Sequence, residues 1–303
     1  KTHHQYPEAL AGYEAFLAGL PFPKETLPET RVFVIPRHSE AELLIEFKDG
    51  EEPSALSVFA IVEEGAKLCV KSEIGPERKA ISLLFAHCFA AAGAEVIFAE
   101  TKTAQMSESA SFLSADVSEN ADAHFYGLTS SKSFVLMRHR ARLAGKGARV
   151  SDSVFVSENG EGVADALSSV EHMAPATVSK IFSRAAVGGG AKVVLQSNIH
   201  IRQGARGSEG REDMKALLLS DRAEVDPIPH LQVEEDDVRC SHGASVARLR
   251  DEALLACALR GIEESEARKL LLEGFFEEGM RAAPSKVREF LRPKMKEVLK
   301  TIV

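Results

Sequence analysis

Short runs that alternate apolar with polar residues, separated by turns of small residues, dominate the middle of the chain. Five of them read "SVFAIVEEGAKLCV", "LLFAHCFAAAGAEVIF", "SADVSENADAHFYG", "RARLAGKGARVSDS" and "SRAAVGGGAKVVLQ". Alternation of period two predicts half-buried strands, and the glycines supply the positive φ that tight turns need. The Ala after each turn falls at Ala66, Ala94, Ala121, Ala148 and Ala191, at intervals of 28, 27, 27 and 43 residues. Strand-bearing repeats of that length predict a stacked solenoid, in which each coil pairs with its neighbours around a continuous apolar row. A β-sandwich is the competing architecture, since it too gives short strands at regular spacing.

Both ends change texture. "PEALAGYEAFLAGL" has helical periodicity and leads into a Pro-punctuated linker, "PFPKETLPET". Beyond Leu249, "RDEALLACALRGI" puts Leu254, Leu255, Ala258 and Leu259 on one helical face and stops at Gly261. "SEARKLLLEGFFEEGM" does the same with Ala267, Leu271 and Phe275. A last helix carries Val287, Leu291, Met295, Val298 and Ile302, with a bend or restart at Pro293. The predicted divisions are residues 1–28 (helical segment and linker), 29–248 (β-rich core) and 249–303 (helical subdomain).

Composition narrows the function classes. With 303 residues, 45% apolar and 27% charged, the chain is globular, and its net charge of −8 disfavours nucleic acid or an anionic membrane as a partner. No apolar stretch nears the roughly 20 residues that span a bilayer, and no secretion signal is evident at the start. Four cysteines without a CxxC pair argue against a disulfide framework or zinc ribbon and suit a reducing cytoplasm. No phosphate loop and no nucleophile elbow is present, so ATP hydrolysis would have to come from a partner.

The chemistry concentrates in "DDVRCSHGASVARL", residues 236–249. In a strand, Cys240 and His242 point to the same face, about 7 Å apart along the backbone. Thiolate and imidazole suit iron, but two ligands make half a site. Cys69, Cys88 and Cys257 fit buried inert thiols; His172, His200 and His230 are read as structural. Phe275 and Phe276 are adjacent and so do not both face one core.

At this point three stretches carry a resemblance: "EHMAPATVSKIFSRAAVGGGAKVVLQSNIHIRQGA", "LLLSDRAEVDPIPHLQVEEDDVRCSHGASVARL" and "LRGIEESEARKLLLEGFFEE". They resemble the SufB/SufD family of iron–sulfur cluster assembly scaffolds, strongly over about residues 168–279 and more weakly before. The resemblance implies a right-handed parallel β-helix flanked by helices and a non-catalytic scaffold with a transient iron–sulfur cluster at a dimer interface. It further implies a SufC-like ABC ATPase docked on the C-terminal helices, with Leu271, Phe275 and Phe276 as candidate contacts. Cys240 and His242 become candidate ligands, to be completed by a partner chain or by Glu224 and Asp226. The partner would be SufB-like or a second copy of this chain. Members of the SufB type carry Cys where Met214 stands and Glu at or beside Gly243, so "CSHGAS" is of the SufD type, or that of a small homodimeric archaeal-type member. Two alternatives remain: a metal-free β-solenoid interaction protein, and a β-helix polysaccharide lyase or hydrolase. For the latter, clustered Asp and basic residues on a strand face are not evident.

Overall fold

The computed structural model describes residues 6–21, 27–249 and 251–302. Residues 1–5 and much of the expected linker, residues 22–26, lie outside them.

Sixteen strands among the described residues form two parallel eight-stranded sheets. One holds, in spatial order, β1 (Thr30–Ile35), β3 (Ser54–Val62), β5 (Ser82–Ala90), β7 (Ser109–Val117), β9 (Phe134–Leu143), β11 (Val163–His172), β13 (Lys192–Ile201) and β15 (Glu224–Val233). The other holds β2 (Glu40–Phe47), β4 (Lys67–Ile74), β6 (Glu95–Lys102), β8 (Asp122–Thr129), β10 (Arg149–Glu158), β12 (Val178–Val187), β14 (Glu209–Leu218) and β16 (Arg239–Arg248). Consecutive strands alternate between the sheets, so each pair makes one coil of a parallel β-solenoid of about eight turns. A sandwich of antiparallel sheets is thereby excluded.

The repeat has a local cause. Gly65, Gly93, Asn120 and Gly147 all have positive φ, between 53° and 73°, and stack above one another at one corner of the coil. Each donates its backbone N–H to a carbonyl of the next coil: Ala92, Glu119, Lys146 and Pro175 in turn. The Ala that follows, Ala66, Ala94, Ala121 or Ala148, is at most 1% exposed, because the chain turns inward with no room for a larger side chain. The column continues through Ala176 and Gly207, not through Ala191. Ala191 lies between β12 and β13, at the opposite corner, which explains its 43-residue interval.

Residues of one parity on each strand line the bore. Val58, Leu84, Phe98, Phe125, Val170 and Ile199 belong to one apolar cluster that runs through the coils. Helix α1 (Pro7–Ala18) covers the outer face of the first sheet, seating Phe16 and Ala9 against Phe59, Ile61, Phe85 and Phe112. After α2 (Asp251–Ala258), helices α3 (Glu264–Met280) and α4 (Ser285–Ile302) cover the second sheet's outer face, over Ile97, Tyr126, Leu128 and Phe155. Gly279 permits the close approach: an added Cβ would lie 2.2 Å from Phe182 and 2.8 Å from Phe155.

Three sequence expectations change. On α3 the buried stripe is Ala267, Leu272, Phe276, Gly279 and Met280, one position on from Leu271 and Phe275, because the flat sheet surface selects the face that carries Gly279. Leu255 on α2 and Leu259 in the turn after it are exposed rather than packed, at 58% and 79%. Helix α4 runs through Pro293 without a restart; the proline sits on its exposed side.

Candidate functional site

Helices cover part of each face of the solenoid, and among the described residues the coils at both of its ends have no neighbour beyond them; the chemistry lies at the C-terminal one. Strands β15 and β16 each pair with one neighbour, β13 and β14, and their residues are exposed or half-buried throughout. The last coil thus presents two unpaired strand edges and its own inner face.

Cys240 and His242 lie on β16, aligned with Gly210 and Glu212 of β14. Gly210 and Glu212 are buried and share the inward parity with Met214, so Cys240 and His242 face the bore at its open end. Cys240 is half-buried against the inner apolar cluster, and that desolvation raises its thiol pKa, only partly offset by the Gly210 N–H. Glu212 is 2% exposed, and neither carboxylate oxygen has a hydrogen bond of ordinary geometry, although the Ser197 hydroxyl approaches it. Burial raises its pKa, with Ser197, His242 and His230 pulling the other way. Among the described residues no three His, Cys, Asp or Glu side chains are gathered closely enough to hold a metal ion.

Glu224 and Asp226 lie elsewhere. They alternate with the inward Val225 and Pro227 on β15, so they point away from the bore, and Glu224 pairs with Lys192 at 3.0 Å. Neither shares a face with Cys240 and His242. Met214 is fully buried in the bore, at the position where the SufB type carries Cys.

Of the three candidate docking residues, Phe276 is fully buried against Phe155, with ring centroids 6.1 Å apart. Leu271 and Phe275 are half-buried at the flanks of α3. The exposed apolar side chains nearby are Leu255, Leu259 and Leu270. Fixing α3 to the solenoid is Arg184, which the sequence did not single out. Its guanidinium is buried, lies 3.6 Å from the Phe182 ring centroid, and bridges Asp213 at 2.8 Å and Glu278 at 2.9 Å.

The histidines read as structural behave differently from one another. His172 is fully buried with both ring nitrogens bonded, to Thr177 at 2.7 Å and Ser179 at 2.8 Å, and burial lowers its pKa to about 4. His200 pairs with Glu234 at 2.8 Å, and His230 is exposed on β15. Cys69 and Cys88 are buried, and desolvation raises both thiols. A polar network in the bore, Glu100, Lys102, His139 and Asp152, was not anticipated. Its signal was parity: Glu100 and Lys102 continue the inward series Val96 and Phe98.

The family model described as "SUF system FeS cluster assembly, SufBD core domain" matches residues 45–275. Similar proteins include iron-sulfur cluster assembly SufBD family proteins of Staphylococcus saprophyticus, 33% identical, and of Staphylococcus haemolyticus and Staphylococcus aureus, each 32% identical, over 136 residues. That segment is 45% of this chain and 29% of each relative, so the match spans under a third of their length.

Proposed function

The chain belongs to the SufBD family of iron–sulfur cluster assembly proteins, and from that premise we propose that it is the scaffold subunit of a SUF-type complex, holding a nascent cluster at its open C-terminal coil. The observation that carries this reading is the pairing of Cys240 and His242 on the inward face of an uncovered last strand. The cluster is cargo here, not a resident cofactor. Thiolate and imidazole are iron donors, and a thiol whose proton is held by burial releases it on binding metal. A SufB-like chain or a second copy of this one would pair along β15 and β16, covering the open coil and adding the ligands that one chain lacks. The scaffold would be non-catalytic and cytoplasmic. No helix among the described residues is long and apolar enough to cross a membrane.

Anaerobic reconstitution with iron and sulfide tests this. The unsubstituted chain, with its partner, should give a brown protein with visible absorption. Cys240→Ala and His242→Ala should each lose most of that absorption with unchanged far-UV circular dichroism, since neither removes much packing. Full reconstitution in Cys240→Ala, or loss of fold, returns the thiol to a packing role.

The SufC-like ABC ATPase would dock on the C-terminal helices, through Leu255, Leu259 and Leu270 beside Leu271 and Phe275. Phe276, buried in the chain's own core, would act by holding α3 in place. Deleting residues 250–303 would strip the cover from Ile97, Tyr126, Leu128 and Phe155, so a surface change is the cleaner probe. Leu255→Asp combined with Leu259→Asp should abolish co-purification with the ATPase and leave the melting temperature unchanged. Undiminished co-purification removes α2 and the turn after it from the docking surface.

A further inference from the structure

The bore holds several buried acids, and their surroundings separate one from the others. Glu100 accepts from Ser111 at 3.0 Å and pairs with Lys102 and His139. Asp152 binds His139 at 2.9 Å. Glu158 accepts the Ser131 N–H at 2.8 Å and the Thr129 hydroxyl at 3.3 Å. Glu212 is as buried as these, yet it has no paired cation among the described residues, and although the Ser197 hydroxyl approaches it, neither oxygen has a hydrogen bond of ordinary geometry. Folded chains rarely leave a buried carboxylate unsatisfied, because desolvation then goes uncompensated.

Its location gives the reason. Glu212 aligns with His242 across the β14–β16 ladder, on the same inner face, and Cys240 is the next inward residue on β16. Strand spacing puts the backbones of Glu212 and His242 about 4.8 Å apart, and strand rise puts His242 and Cys240 about 7 Å apart. We propose that Glu212 is a third protein ligand for iron at the open coil, acting with Cys240 and His242. This deepens the scaffold reading above and rests on it. Oxygen, nitrogen and sulfur donors together suit iron, and a carboxylate supplies the anionic oxygen that the thiol–imidazole pair lacks. Glu224 and Asp226, on the outer face of β15, do not reach this position. The three side chains are not gathered into a closed site in the free chain, so binding draws them together.

Titrating the 303-residue chain anaerobically with Co²⁺ alone, as a spectroscopic stand-in for Fe²⁺, tests the assignment. The unsubstituted chain should show a thiolate-to-cobalt charge-transfer band and visible d–d bands. Glu212→Gln keeps the shape and removes the anionic donor. It should weaken Co²⁺ binding by at least about 10-fold, since even losing a group that only orients a metal ligand costs roughly 10- to 100-fold, and alter the d–d bands. A merely structural Glu212 predicts a different pattern: Gln should leave affinity and spectrum untouched and keep or raise the melting temperature. Cobalt binding by Glu212→Gln identical to that of the unsubstituted chain overturns the inference and leaves the scaffold reading standing. Absence of the thiolate band in the unsubstituted chain overturns both. Cys240→Ser should lose the thiolate band while retaining weak d–d absorption from Glu212 and His242.

Discussion

Replacing Lys102 by Met should destabilise the solenoid by about 3–5 kcal/mol, the loss expected when one partner of a buried ion pair is removed. Lys102 is 2% exposed in the bore, where its ammonium contacts the Glu100 carboxylate and the Ser111 hydroxyl, the latter at 2.7 Å. Glu100 also meets His139 Nε2 at 3.0 Å, and His139 Nδ1 meets Asp152 at 2.9 Å. Two carboxylates thus balance an ammonium and an imidazolium in a space closed to water. Burial opposes the charged form of Glu100, but Lys102 and His139 outweigh it and hold its pKa down at about 2. Burial likewise disfavours the His139 imidazolium, yet Asp152 and Glu100 raise its pKa to about 9. Without Lys102, two carboxylates face one cation. The double variant Glu100→Gln, Lys102→Met keeps the His139–Asp152 pair balanced and should recover most of the loss, giving a coupling energy that urea titrations of all four species measure. Equal losses in the single and double variants would show that the network contributes only its packing.

Protonation of the same network sets two edges of the stability profile. The stabilisation from charged His139 is fully present below its unfolded pKa near 6.5 and is lost as pH rises through about 9. That from ionised Glu100 is present above its unfolded value of 4.5 and is lost as pH falls toward about 2.

The coil architecture was legible because turn chemistry and alternation repeat locally: Gly65, Gly93, Asn120 and Gly147 mark one corner, and parity tells inside from outside. Ala191 misled because both corners use small residues, and only strand pairing distinguishes them. The helical stripe of α3 was legible to within one position, since periodicity gives a face but the sheet beneath selects its edge. Cys240 and His242 could be placed side by side because i and i+2 share a face on any strand. Glu212 stands 30 residues before His242 and meets it only through the β14–β16 register, which no local pattern contains. The same limit hid the union of Glu100 with His139 and of Arg184 with Glu278. Glu224 and Asp226 were nearer to Cys240 in sequence but sit on the wrong face, so proximity along the chain was the poorer guide.

Glu158→Gln should stabilise the protein at neutral pH and flatten its pH dependence. Glu158 ends β10 in the bore, fully buried beneath the corner that Gly162 turns, where an added Cβ would lie 3.2 Å from its Oε2. The Ser131 N–H and the Thr129 hydroxyl serve its oxygens, but no cation pairs with it among the described residues. Burial therefore pushes its pKa up to about 8 against those two hydrogen bonds. In the unfolded chain it titrates near 4.5. Between these values the folded state holds a proton that the unfolded state has released, so stability falls as pH rises from 4.5 to about 8 and levels beyond. At about 1.4 kcal/mol per pH unit, the loss reaches roughly 3 kcal/mol by pH 7. Gln retains the shape: its oxygen accepts the Ser131 N–H, and its amide nitrogen donates to a Thr129 hydroxyl turned to accept. Urea titrations of both forms from pH 4.5 to 9 should therefore converge at the acid end and separate progressively to pH 8. Parallel profiles, with no separation as pH rises, would mean that the Glu158 carboxyl ionises in the folded chain as readily as in water.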